Sequence, residues 1–541
     1  MLVSDRPGQT WTNITSSSDS STSLQQSQHE PEPWKFSPKG IAVRLFLTCW
    51  LVYAMHFTTN IVREIYPALS LGDHLSFRVD EYAGMHPDIF EKPGYGWHIG
   101  NNPGVSVLAA IPYALLRPIT DRVVESVIRG RAASGIENAP EYNSPWPMAR
   151  EFFRESWIRG FDVKFGMAAL IMQALCMAPS SARGAVMMFV ALRQLFNADR
   201  TALWLALLYA FGTPVFFRTG YLNHNLMLGH IAFVGFLSLW NPGRALPWSS
   251  RSRFLLGGLA GGTALLFDYS GLVLLLGLFC YGVLREWRDQ SVRDALRSGG
   301  WYVVGTLAPV TLLWFYQWDS FGHPFFPGQH WMPPVEWIEL GYQGYGLPQV
   351  ELIVALAFDH RFGLFVSSPL LLLALLCPFI DRNGTHRLPR FELAFLLILS
   401  AAFLLFFSGS NYTRLQFNTG IRYLAAIFPF LFIPAAVVIM RLPRPAILLI
   451  AVVSVAEAWS LAMYRDVESP LGVLNPIVHV FVQGFQLPAL TTLSRLGSAY
   501  GDVFSGGVSP LPLFCLAAGL VYAVWSHSLP DSNRSQESPR P

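Results

Sequence analysis

Apolar residues in this chain run in blocks close to the length that crosses a bilayer as a helix, roughly 17–25 residues. Clear blocks cover 41–58, 201–218, 221–240, 299–318, 363–380, 391–408, 423–440, 445–463 and 509–526. Shorter or interrupted blocks cover 104–118, 165–180, 184–197, 254–267 and 270–284. The pattern predicts an all-α fold: a polytopic transmembrane helical bundle of about 12–14 spans. The short blocks read either as full crossings or as broken and re-entrant helices. Long segments at 59–103, 319–362, 409–422 and 464–508 separate the blocks. They are expected to carry short interfacial helices, and the apolar stretch 470–495 to graze the membrane surface.

Composition agrees with this pattern. A soluble domain carries about 25% charged residues. This chain carries 13%, with 52% hydrophobic residues and a mean hydropathy of +0.36. Lipid is the solvent such a surface requires. A net charge of +3 gives no reason to expect nucleic acid as a partner. Cys49, Cys176, Cys280, Cys377 and Cys515 each lie in an apolar run, with no CxxC pair. They read as small buried hydrophobes.

Residues 1–39 are Ser/Gln-rich and Pro-interrupted, a composition that cannot bury enough surface to offset ordering entropy. They are expected to be a disordered cytoplasmic tail, as is 529–541. Alternating sides from a cytoplasmic N-terminus puts 119–164 inside, with Arg122, Arg129, Arg131, Arg150, Arg154, Arg159 and Lys164. The inner turns then also hold Arg244, Arg251, Arg253, Arg285, Arg288, Arg293, Arg297, Arg382, Arg387, Arg390, Arg441 and Arg444. Segment 319–360 has no Lys or Arg, so the positive-inside bias supports this orientation. Segment 147–164 sets aromatics against arginines at helical spacing and reads as a helix lying in the inner interface. The organisation expected is a tail, a membrane core over 40–463 with its large outer loop 59–103, an outer loop and last helix over 464–528, and a second tail.

The chemistry-bearing residues cluster at the outer side. Glu64 follows the first span, and Asp73, Asp80, Glu81, Asp88 and Glu91 come after it in a loop that ends GWHIGNNPG. A carboxylate at the lipid–water boundary is partly desolvated, which raises its pKa and strengthens it as a base. A plainly solvated acidic loop is the competing reading, except at Glu64. Arg414 and Arg422 sit at the outer mouth of two spans, where a guanidinium is costly unless it pairs or meets an anion. Its fork suits phosphate, with a structural ion pair or snorkelling as the alternative. Arg218, Asn223, His224 and Asn225 form another outer polar cluster, with His224 open to a functional or a structural role. Asp268 and Tyr269 interrupt an apolar run, as a functional pair or as a helix cap. Asp319, His323 and His330 match no metal-site spacing. G-x-S-x-G, Walker A and H-E-x-x-H are absent, which removes serine hydrolase, ATPase and zincin readings.

The layout resembles the GT-C superfamily of glycosyltransferases, which use polyprenyl-phosphate-linked sugars and open with one span followed by a loop bearing D-E-x-x-Y. Here that stretch is Arg63-Glu64-Ile65-Tyr66, with arginine in place of the first acid. More specifically, the chain is similar to a group of bacterial membrane proteins within that superfamily, a group that resembles the protein mannosyltransferase and aminoarabinose transferase type. The carrying elements are Asp80-Glu81-Tyr82, Trp97-His98-Ile99-Gly100-Asn101-Asn102-Pro103-Gly104, Phe211-Gly212-Thr213-Pro214, Phe321-Gly322-His323-Pro324, Arg361-Phe362-Gly363-Leu364-Phe365, and Gly420-Ile421-Arg422-Tyr423-Leu424.

The resemblance implies an enzyme of the bacterial inner membrane, with both termini cytoplasmic. It would move a sugar, with inversion, from a polyprenyl-phosphate donor to a hydroxyl of a lipid, glycan or protein acceptor at the outer face. Glu64 is the expected general base, with Asp80 as alternative or assistant. His98, Asn101, His224, Asp268, Tyr269 and Arg422 are the expected substrate contacts. No cofactor is required by this reading. A divalent metal is compatible with it, although the arginine at 63 removes the paired acid that would hold one. A secondary transporter or flippase, or a non-catalytic component of envelope polysaccharide assembly, are the rival readings.

Overall fold

The protein is described by a computed structural model that covers residues 36–135, 138–334, 341–342, 344–380, 388–414 and 420–527. The expected tails lie almost wholly outside these residues. Among the described residues the regular elements are helices, apart from one hairpin of β1 (Ile89–Lys92) and β2 (Gly96–Ile99). The turn of that hairpin uses Gly94 and Gly96 at φ +82° and +93°, conformations that side chains with a Cβ rarely adopt.

In chain order the helices are α1 (Pro38–Met55), α2 (Ile65–His74), α3 (Gly104–Ala133), α4 (Pro147–Ile158) and α5 (Asp162–Phe196). There follow α6 (Asp199–Phe211), α7 (Val215–Arg218), α8 (His224–Trp240), α9 (Ser250–Phe267), α10 (Gly271–Asp289) and α11 (Val292–Phe321). After the third long loop come α12 (Val350–Phe358), α13 (Pro369–Ile380), α14 (Arg390–Ser408), α15 (Tyr423–Ile439) and α16 (Arg444–Met463). Then come α17 (Leu474–Gln483), α18 (Pro488–Arg495) and α19 (Leu511–Ser526), with a single helical turn at Asp502–Ser505 before the last of them.

Helices α1, α5, α14 and α16 are long and apolar enough to cross a membrane by length and composition alone. This makes the chain an integral membrane protein. Tyr53 near the end of α1 donates to the carbonyl of Ala210 at the end of α6. Gln173 bridges the carbonyls of Tyr53 and Thr219 at 2.9 and 3.0 Å. Gln173 opens a π-turn, Gln173–Met177, within α5, a local widening that often serves to place a polar side chain. At the opposite face, buried Arg44 of α1 donates to the carbonyls of Val524 and His527 at 3.1 and 2.6 Å. On that face too, Arg285 lies 3.4 Å from Glu392 and donates to the carbonyl of Leu239.

Two sequence expectations are corrected here. Blocks 165–180 and 184–197 form the single helix α5, not two crossings. Segment 119–164 belongs to the same face as the first loop, not the opposite one. Arg159 donates to the carbonyls of Glu81 and Ala83, and Lys164 sits 2.8 Å from Asp73. Helix α3 therefore begins and ends on one face, with Asp73 bound by Arg117 along its length. Its apolar residues cover neighbours without carrying the chain across. The arginine-rich turns 241–253, 285–297 and 441–444 keep their place on the opposite face.

Helices α9 and α11 approach almost backbone to backbone. A Cβ at Gly258 would fall on the carbonyl of Tyr302, one at Gly305 on that of Leu255, and one at Gly262 would meet Pro309. Small residues of this kind let helices pack by van der Waals contact in lipid, where apolar burial supplies little drive between them. Gly258→Leu is expected to destabilise the folded protein by about 1–3 kcal/mol through overpacking. A lowered unfolding temperature in detergent, with α-helical content kept at low temperature, checks this.

Candidate functional site

On the face that carries the first loop, the helix ends and long loops enclose a cavity of about 2560 Å³. This exceeds the roughly 300–1,000 Å³ typical of a pocket for one small ligand. Its wall combines the first loop, the α4 region, the starts of α8 and α15, the α9–α10 turn and the segment after α16. Its lining includes the apolar residues Val123, Val127, Phe152, Phe153, Met167 and Leu496, with Glu151, Glu155 and Arg159 among them. The remaining polar lining has two centres.

The first centre is Glu64. Its side chain is buried, and His224 Nδ1 lies 2.6 Å from its Oε1. Arg63 Nε approaches the same oxygen at 3.2 Å and Asn101 Nδ2 at 3.5 Å. The carbonyl of Glu64 accepts from Ser106 at 2.8 Å, fixing the backbone as well. His224 is the first residue of α8, and the Asn223 side chain caps that helix by accepting from Leu226 N–H. On the far side of the ring, His224 Nε2 lies 3.8 Å from Asp268 Oδ2. Asp268 itself accepts from the backbone N–H and hydroxyl of Ser270 through Oδ1. Arg63 also pairs with Asp88 at 3.1 Å.

The electrostatics reverse the expectation for Glu64. Burial alone raises its carboxyl, but His224 and Arg63 outweigh burial and hold it below the usual carboxylate range. Asp88 is likewise kept low, against burial, by Arg63 and by the more distant Arg422. A carboxylate so stabilised is a weak base.

The second centre is cationic. Arg422, Arg465 and Tyr221 line the cavity together, with the Arg465 guanidinium 4.6 Å from the Tyr221 ring. Arg218 behind them is fully buried and donates to the Tyr221 hydroxyl and to the carbonyl of Gly420. Asn223 adds a donor to the same hydroxyl at 3.1 Å. Arg465 bonds Thr58 through Nη1, while its buried Nε and Nη2 have no hydrogen-bond partner. Burial raises the Tyr221 phenol, but Arg218, Arg465 and Arg422 overcome it and bring it down to about 8. Buried guanidinium donors without partners are expensive, and this concentration of charge suits an anion.

Of the residues singled out from sequence, Glu64, His224, Asn101 and Asp268 meet at the first centre, and Arg422 stands at the second. Tyr269 lines the cavity and accepts from Gln317 at 2.5 Å. Asp80 and His98 do not join them. Asp80 pairs with Arg78 at 2.9 Å and accepts from Trp97 N–H at 2.8 Å, outside the cavity. Buried His98 donates to the carbonyl of Tyr95 and packs on Phe321. Both hold the hairpin to its neighbours. Arg414 pairs with exposed Glu351.

Sequence reasoning missed Arg465, Tyr221 and the pairing of Arg63 with both Glu64 and Asp88. The signal for Arg465 was available, since it follows α16 closely just as Arg422 directly precedes α15. Nothing local marks Tyr221.

A divalent metal does not suit these donors. Arg63 stands beside the Glu64 oxygen that a metal would need. The group Asp73, His74 and Glu81, whose donor atoms lie within 4.8 Å of one another, is already neutralised by Lys164 and Arg117.

No protein-family model matches this sequence, and no protein of curated function does. Among solved structures the chain is similar to the crystal structure of ArnT from Cupriavidus metallidurans bound to undecaprenyl phosphate. The identity is 16%, over 85% of this chain and 76% of that one, with a TM-score of 0.44.

Proposed function

We propose that this protein is a membrane glycosyltransferase that draws its sugar from a polyprenyl-phosphate donor at the face bearing the cavity. The observation that carries the reading is the joining, in one cavity, of apolar lining residues, a cluster of arginines and a Glu–His–Asp group whose Glu and His are buried. The apolar lining suits a lipid chain, and Arg422 and Arg465 suit its phosphate. The Glu64–His224–Asp268 group is placed to take a proton from an acceptor hydroxyl. As the anomeric carbon transfers to that hydroxyl, charge builds on the departing phosphate. Preorganised guanidinium donors then stabilise the transition state more than the ground state. A transporter is less well supported, because transporters place their ionisable groups near the bilayer midplane. Here the arginine cluster and the Glu–His–Asp group gather at one face, although Glu457 and His230 are buried within α16 and α8.

Incubation of the protein in nanodiscs with a panel of undecaprenyl-phosphate-linked pentoses and hexoses tests this, with release of undecaprenyl phosphate as the readout. Wild type is expected to turn over at least one donor. Arg465→Ala and Arg422→Ala are each expected to lower kcat/KM by about 10²-fold or more, the scale for losing a preorganised donor to a developing anion. Absence of turnover for every donor would refute the reading.

A pH effect follows from the phenol. Below about 8 Tyr221 is neutral and the arginines keep their full positive charge. Above it the phenolate takes part of that charge and competes with the lipid phosphate. Affinity for undecaprenyl phosphate is expected to fall as pH rises through 8, by up to about tenfold per unit. Tyr221→Phe is expected to flatten that fall, as measured by binding titrations from pH 6.5 to 9.5.

A further inference from the structure

We propose that His224 takes the acceptor proton and that Glu64 is the positioning carboxylate that orients it. This rests on the transferase reading above. An ionised carboxylate only accepts hydrogen bonds, so the 2.6 Å contact assigns the proton of the neutral ring to Nδ1. Nε2 is then the lone-pair nitrogen. It faces Asp268 Oδ2 across 3.8 Å, too far for a direct hydrogen bond. A hydroxyl oxygen at about 2.8 Å from each atom fits beside that gap. Asp268 keeps Oδ1 on Ser270, which leaves Oδ2 toward the gap. Glu64 has the opposite character: its Oε1 serves three donors and its backbone carbonyl a fourth. It is built to hold still.

In the step itself, the acceptor O–H proton passes to His224 Nε2 while the acceptor oxygen bonds the anomeric carbon. The bond from that carbon to the phosphate oxygen breaks, and the phosphate leaves with the electron pair. The imidazolium so formed lies between Glu64 and Asp268 and gives its proton through Asp268 to water. The charged groups that share this space are Glu64, Arg63 and Asp88 from the first loop, Asp268 from the α9–α10 turn, and Arg422 from the start of α15. Glu64 is the one in contact at Nδ1, so its charge governs the ring.

The test compares wild type, His224→Gln, Glu64→Gln, Glu64→Asp and Asp268→Asn in nanodiscs, by pH profiles of undecaprenyl-phosphate release from the donor that wild type uses. His224→Gln is expected to lower kcat by about 10²–10⁴-fold and to remove the acid limb. Glu64→Gln is expected to lower kcat with little change in KM. Glu64→Asp is expected to restore part of that kcat, because it returns a carboxylate acceptor toward Nδ1 and so separates orientation of the ring from a general structural loss. Wild type that turns over no donor refutes the transferase reading itself. Wild-type turnover with a His224→Gln variant that keeps its rate, or a Glu64→Gln variant that keeps its kcat, refutes this inference alone.

Discussion

The contact between Glu64 and His224 organises the site face. A buried carboxylate costs several kcal/mol in an environment that water does not reach, unless opposite charge and hydrogen bonds surround it. Arg63, His224 and Asn101 supply that surround, and each comes from a different place in the chain. Meeting the demand of one carboxylate therefore brings the start of the first loop, its end and the first turn of α8 to a single point. Ser106 then ties α3 to the same backbone. Arg63 reaches onward to Asp88, so the middle of the loop is drawn in as well.

Tight packing and open space are divided between regions of the molecule. Glycines bring α9 and α11 into backbone contact, leaving no room between them. On the site face the loops are propped by polar and aromatic contacts instead. Arg159 reaches the carbonyls of Glu81 and Ala83. Arg131 pairs with Asp162 beside Trp157 and Tyr500. Props of this kind hold helices apart at set distances, and a large cavity remains under them. The rigid glycine-packed helices give that cavity a firm floor, because the α9–α10 turn that presents Asp268 rides on α9.

Legibility in the sequence followed the strength of the local constraint. Glu64, Asp268 and Arg422 were visible because ionisable groups beside an apolar span need a reason to be there. Asp80 and His98 looked similar by motif and by position in the loop. Their partners are the near neighbours Arg78, Trp97 and Tyr95, which a motif does not rank against a distant substrate. The expectation of a raised Glu64 failed for a related reason. Desolvation can be inferred from position along the chain, but the compensating His224 lies far away in sequence.

The amino-acid sequence by itself determined the solvent, the helical class, and which residue types stand at the ends of spans. Those follow from the length and composition of apolar blocks, since each span must satisfy its own backbone whatever surrounds it. Tertiary structure alone decided that α3 stays on one face, that two short blocks are the single helix α5, and that Arg465 and Tyr221 belong beside Arg422. An apolar block of marginal length is stable either in lipid or against a neighbouring helix, and only the available neighbours choose between them. Charge clusters likewise depend on distances across the fold, which sequence spacing does not encode.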